Sequence, residues 1–455
     1  MIRRLLSLAL TIGAAAMFAA EIPAGAQEAR RRWAQMCEIR RDKFDYILRE
    51  AMRENDIDMW IVMMREGHYD PLYDDLGRGY PGRVGYYVFT DRRPAPAAAR
   101  AEAGPSRFPA RIERAALGIS GPLLEGCGAY DIVTSSFDLR AFVAERAPRR
   151  IGVNMSEAIG AADGLSHTAY LELARTLGEP WASRLVSAEK LVSDFRSRRV
   201  ASEIAAFGEA AQISRLLAER ALSNEVIAPG RTTLEDVAWW LQDRLLERGL
   251  TSAFDMPSVY VTGPKGIEAV SNRRVIRRGD LLMIDWGVCL MNFCTDMKRI
   301  AYVLREGEDR VPAGLQRAFD QAVKAREIVR RTILPGRRAD ETLALVNRRL
   351  EEAGFAVMEA FDQPSATPRT DVIVGCHSVG NLGHDVGPSI AWFTPRQLTF
   401  AIRPTNLLSI ELFAWTPAPE WQGRKVRIPL EDDAMVTERG VEWIAPPGDR
   451  ILLIG

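Results

Sequence analysis

Short, unbroken apolar runs set between helical repeats mark the first part of the chain. "MWIVMM" (59–64), "VGYYVFT" (84–90) and "RIGVNM" (150–155) are too brief for helices and predict strands, the first of them apolar throughout, as a strand buried on both faces would be. Between them, "KFDYILREAMREN" (43–55) and "TAYLELARTL" (168–177) carry apolar residues at the three- and four-residue spacing of amphipathic helices. This alternation predicts a small α/β domain over 30–192. The segment "RRPAPAAARAEAGPSRFPAR" (92–111), rich in Pro and Ala, reads as a surface loop or insertion.

From 193 onward the pattern changes to longer helices and then repeats itself. "IAPGRTTLEDVAWWLQDRLLERG" (227–249) matches "ILPGRRADETLALVNRRLEEAG" (333–354), and "AFDMPS" (253–258) matches "AFDQPS" (360–365). Each copy has a Pro-Gly stop, an amphipathic helix and a terminal Gly. Thr232 is positioned to cap the first helix with Glu235 completing a capping box, and Gly249 and Gly354 suit a left-handed stop. Several matches in register predict two similar halves over 193–455. The expected fold is therefore α/β (α+β): a small α/β domain, then a pseudo-twofold domain with helices outside an antiparallel sheet and a site between its halves.

Within the first half, "LLMIDWGVCL" and "MNFCTDMKRIAYVL" read as two strands of a hairpin. With the turn centred between Leu290 and Met291, Asp285 and Asp296 become direct cross-strand neighbours, their Cβ atoms about 5 Å apart. Two carboxylates so close, flanked by "LLMI" and "IAYV", repel each other and lose hydration unless a cation meets them. The second half adds His377 and His384 in "GCHSVGNLGHDVGP", Glu411 in "LLSIELFAW" and Glu431 in "KVRIPLEDDAMV", in a chain with four histidines. Hard carboxylate oxygens with one imidazole suit divalent ions of the Mn, Co or Zn type.

Composition narrows the function classes. The 60 basic and 60 acidic side chains cancel, so no field favours nucleic acid or an anionic membrane. Residues 1–26 read as an export signal: "MIRR", an apolar stretch, and a small-residue cleavage site ending at Ala26. A periplasmic or secreted protein, free of the membrane after cleavage, is expected. Five cysteines are too few for a disulfide scaffold, although Cys289 and Cys294 lie close enough in sequence to pair across the hairpin. "GRGYPG" (77–82) fits a phosphate-loop pattern literally but runs into a strand, which argues against a nucleotide.

Taken in order, the eleven-residue Asp285–Asp296 spacing, Arg299, the pair His377 and His384 before "DVGP", and "LEDDAMVTERG" resemble the pita-bread metallopeptidases. That family includes methionine aminopeptidase, Xaa-Pro aminopeptidase and prolidase, with creatinase as a metal-free relative. The resemblance spans about 193–455, and 30–192 is similar to the creatinase-type domain of the proline-directed branch. It implies a dinuclear exopeptidase, most simply loaded with Mn, acting on short peptides. Asp285 would chelate one ion, His377 and Glu411 the other, and Asp296 and Glu431 would bridge them. Glu411 would shuttle a proton, and His384 would contact substrate and steady the tetrahedral intermediate. A homodimer is expected by the same resemblance.

Three features depart from the family pattern. "VTGPKGIEAVSNRRVIRRGD" lacks the histidine usually found upstream of the first Asp, Glu411 stands in "ELFAW" rather than Glu-Pro-Gly, and Pro429-Leu430 lengthens the path to Glu431. They keep two rivals open: a creatinase-related hydrolase of a non-peptide C–N bond, and a non-catalytic metal-binding member of the fold.

Overall fold

A computed structural model describes residues 24–92, 112–264, 266–361 and 364–455. All but the last three residues of the expected export signal, and all but Arg92 of the expected insertion, lie outside that set. The first domain is built on a six-stranded mixed sheet with Met59–Met64 and Gly85–Asp91 at its centre. All six residues of Met59–Met64 are buried. Trp60, Val62 and Met64 enter one core with Tyr87 and Phe89, while Met59, Ile61 and Met63 enter another with Tyr86 and Val88. Strand geometry sends alternate side chains to opposite faces, so a strand covered on both sides has to be apolar throughout.

Beyond the helix Glu189–Ser197, the second domain contains two large sheets and a small three-stranded one of Phe293–Cys294, Val288–Leu290 and Thr251–Ser252. The first orders Leu452–Ile454, Met297–Val303, Leu281–Trp286, Ser258–Gly263 and Gly266–Val270. The second runs Ala356–Val357, Asp371–Ser378, Leu407–Pro417, Lys425–Thr437 and Gly440–Trp443, with Ile390–Ala391 paired to Asp371–Ser378. Helices Ala201–Ala221 and Leu234–Leu246 cover the first half, and Ala313–Thr332 and Ala339–Glu352 the second.

The internal echo is visible in backbone detail. Gly230 and Gly336 take φ +85 and +93, and each donates its N–H across the half, to Ile276 and Ile402. Isolated bridges repeat the correspondence, Thr233 to Val275 and Arg338 to Ala401. One detail of the first copy differs from expectation. The capping box consists of Thr233 and Asp236, one residue later than Thr232 and Glu235. Thr232 is diverted because its hydroxyl donates to the Val226 carbonyl and accepts from Ala228 N–H, closing the preceding turn.

A buried ion pair joins the two domains. Lys43 reaches Glu203 at 2.7 Å, with 5% and 3% of the side chains exposed, and also donates to the backbone carbonyl of Arg198. Glu203 further accepts from Arg199 Nη1 at 3.2 Å and from Val200 N–H at 2.9 Å. Replacing Lys43 by Met removes one partner of a desolvated pair, which costs roughly 3 kcal/mol. The expected outcome is a lower urea midpoint at unchanged m-value; an unchanged midpoint would show that the pair adds nothing to stability.

Candidate active site

The hairpin forms, but in a different register from the one expected. Its turn is Met291-Asn292, with Met291 at φ +56, and the pairs Leu290 with Phe293 and Cys289 with Cys294 flank it. Asp285 therefore faces Lys298, not Asp296. Gly287 explains how the strands stay so close at this point, since a Cβ there would lie 1.7 Å from the Thr295 carbonyl oxygen. Asp296 and Lys298 are two apart, so both project to the face that carries Asp285. The two aspartates still converge, diagonally, and with Glu431 they offer oxygens within 4.8 Å of one another. Cys289 and Cys294 form a disulfide, as do Cys37 and Cys127, and Cys376 is free and buried.

The second sheet supplies the facing wall. Glu411 pairs directly opposite Glu431, and His377 opposite Ser409. Ser409 donates to Glu431 Oε1 at 2.6 Å, and His377 Nε2 lies 3.1 Å from the same oxygen. His377 Nε2 is also 3.7 Å from Asp296 Oδ2 and 4.0 Å from Glu411 Oε2, while His384 Nε2 is 3.4 Å from Asp296 Oδ2. All six residues singled out from the sequence, Asp285, Asp296, His377, His384, Glu411 and Glu431, thus meet in one place.

Lys298 was not among them. Its Nζ lies 3.1 Å from Asp285 Oδ2 and 2.6 Å from Glu411 Oε1, and it also pairs with Glu431 Oε2. Two signals in the sequence point to it: it stands two residues after Asp296, on the same face, and it is one of six lysines in a chain that otherwise uses arginine.

Electrostatics follow from burial and crowding. Burial, then repulsion from Glu431 and Asp285, holds Asp296 well above the usual carboxylate range. Burial likewise raises Asp285, and lifts Glu411 to about 7 with help from Glu431. Glu431 moves the other way, because Lys298 and His377 outweigh its desolvation. Lys298 is buried, which by itself favours the neutral amine, yet the surrounding carboxylates raise it well above its ordinary value.

Neighbouring ion pairs hold these strands in place. Asp432 and Asp433 beside Glu431 are buried. Asp432 points away from the cluster and is clamped by Arg299 Nη1 at 2.8 Å and Arg326 Nη1 at 2.6 Å. That is the structural use of the arginine three residues after Asp296. The loop carrying His384 is fixed by its neighbour Asp385, which meets Arg199 Nη2 at 2.9 Å and Arg196 Nη1 at 3.7 Å.

A cavity of about 690 Å³ opens over the cluster, walled by Phe254, Phe361, Phe393 and Phe413. Asp296 Oδ1 is buried without a hydrogen-bond partner, and its other oxygen, Oδ2, faces His377 and His384. Donors around a tetrahedral ion with bonds near 2.1 Å sit roughly 3.4 Å apart, close to the His377 and His384 separations above. An ion would fit that end, where His377 groups with Glu411 and Glu431 and, with His384, with Asp296.

Comparison with known proteins agrees with this chemistry. The model of metallopeptidase family M24 matches residues 205–438. No curated protein matches the chain in sequence. Among solved structures, the Xaa-Pro dipeptidase from Bacillus anthracis is similar with a TM-score of 0.60 at 18% identity, covering 93% of this chain and 99% of that one. The X-Pro aminopeptidase from Thermotoga maritima gives 0.61 at 16%, covering 89% and 99%. The prolidase from Pyrococcus horikoshii gives 0.57 at 16%, covering 93% and 100%. At these identities the likeness concerns the fold, which includes both domains.

The Asp432 clamp is open to test. Asp432→Asn keeps the shape but leaves two buried guanidinium groups without their counter-charge, a loss on the order of 3 kcal/mol. The expected result is a thermal midpoint several degrees lower than that of the parent protein, and an unshifted midpoint would show that the clamp is not structural.

Proposed function

From the premise that the chain belongs to metallopeptidase family M24 and is a metal-dependent peptidase, we propose that it is an exported exopeptidase hydrolysing short peptides, of the Xaa-Pro aminopeptidase or dipeptidase kind. The observation that carries this reading is the convergence of four carboxylates and two histidines beneath an aromatic-walled cavity of about 690 Å³. A space of that size suits a ligand of a few residues, with rings to pack an apolar or prolyl side chain. A bound divalent ion, with Mn the first candidate and Co or Zn as alternatives, would polarise the scissile carbonyl.

The chain's own residues contribute the rest. Glu411, at the base of the cavity, is placed to carry a proton to the leaving nitrogen. His384 stands at the cavity wall, edge-on to Phe254 at 5.2 Å between ring centres, where it can donate to a substrate oxygen as charge develops. Export is supported by the two disulfides, because such bonds persist in oxidising compartments. Among the described residues no helix is long and apolar enough to cross a membrane.

One observation favours a second reading, hydrolysis of a non-peptide C–N bond: the histidines lining the cavity are His377 and His384, with none from the strands before Asp285. Assaying Xaa-Pro dipeptides and tripeptides beside simple amides, with Mn and after chelation, separates the two. Peptide cleavage that chelation abolishes and Mn restores is expected. Asp296→Ala should stay folded by circular dichroism and lose turnover; normal turnover in that variant would remove Asp296 from the site. Inactivity on peptides with and without Mn, and no bound metal, would overturn the proposal.

A further inference from the structure

The two ends of the acidic cluster are not equivalent. At the His377 end, imidazole and carboxylate donors gather with no cation among them: His377 with Glu411 and Glu431, and His377 and His384 with Asp296 Oδ2, 3.7 and 3.4 Å away. At the Asp285 end, a cation is already present. Lys298 Nζ contacts Asp285 Oδ2, Glu411 Oε1 and Glu431 Oε2, with 5% of the side chain exposed. An ammonium has three N–H bonds, and three carboxylates accept them.

We infer that Lys298 takes the place of one metal ion: the site binds a single divalent cation through Asp296, His377, Glu411 and Glu431, and the ammonium neutralises Asp285 instead of a second ion. This rests on the metal-dependent reading above and deepens it. Charge is compatible with it: four carboxylates carry four negative charges, Lys298 offsets one and a divalent ion two, leaving one negative charge, where a second ion beside the ammonium would leave one positive. A second ion would have to evict an ammonium that is a hydrogen-bond donor to the same Asp285 and Glu431 side chains the ion would need. Position supports it too, since the register places Lys298 directly opposite Asp285, where its side chain crosses the gap between the sheets. The Phe413 ring, 5.7 Å from Nζ, closes the space beyond.

Metal content tests the inference without reference to turnover. Purified full-length protein is saturated with Mn, freed of excess and analysed by elemental mass spectrometry, with electron paramagnetic resonance on the same sample. The expected result is one Mn per chain with the spectrum of an isolated ion, and two per chain in Lys298→Thr or Lys298→Met with an exchange-coupled spectrum. Two ions in the parent protein would overturn the inference while leaving the metal-dependent reading intact. No ion in the parent protein would sink the metal-dependent reading and this inference with it. One ion in a folded Lys298 variant would also overturn it, and should neither variant fold, the parent stoichiometry and spectrum decide alone.

Discussion

Like charge brought together inside a protein has to be answered, and the second domain is organised around that requirement. Asp285, Glu411 and Glu431 come from three strands of two sheets and Asp296 from the residue before a fourth; burial and crowding raise the cost of ionising Asp285, Asp296 and Glu411, while Lys298 and His377 lower that of Glu431. Such a cluster persists only where positive groups reach it, because desolvating a carboxylate costs several kcal/mol. The surrounding strands carry that answer in layers. Lys298 meets the cluster itself, while Arg299 and Arg326 hold Asp432 on the opposite face of the same strand as Glu431. The sheets are thereby tied together at the point where repulsion would part them.

Much of the fold was legible because the signals are strong and local. A six-residue apolar run such as Met59–Met64 has few alternatives to a strand covered on both faces. The duplicated Pro-Gly, helix and Gly segments mark the two halves because their glycines take positive φ, a backbone need that sequence preserves. The one-residue error at the helix cap has a local cause too. Thr232 and Thr233 are equally good caps by residue type, and what separates them is a turn formed with Val226 and Ala228.

The site was legible in its members more than in its arrangement. Its donors could be named because carboxylates and histidines in strand-like surroundings are conspicuous. The pairing of Asp285 was misplaced because Met291 is not a residue type that announces a left-handed turn, so the hairpin centre was set one residue early. That shift concealed the partnership of Asp285 with Lys298. A search for electron-pair donors passes over a lysine, although a cation is the natural neighbour of the groups it finds.

The junction between the domains holds more of the active site than its sequence suggests. Arg196 and Arg199, at the junction between the domains, grip Asp385, and Asp385 adjoins His384. Lys43 reinforces the same junction through Glu203. The leading lobe is therefore not a detachable passenger. A lineage that exchanged it for another without a cation at the place of Lys43 would leave Glu203, which also holds Arg199, short of one partner, and would loosen the grip on the histidine before a single electron-pair donor had changed.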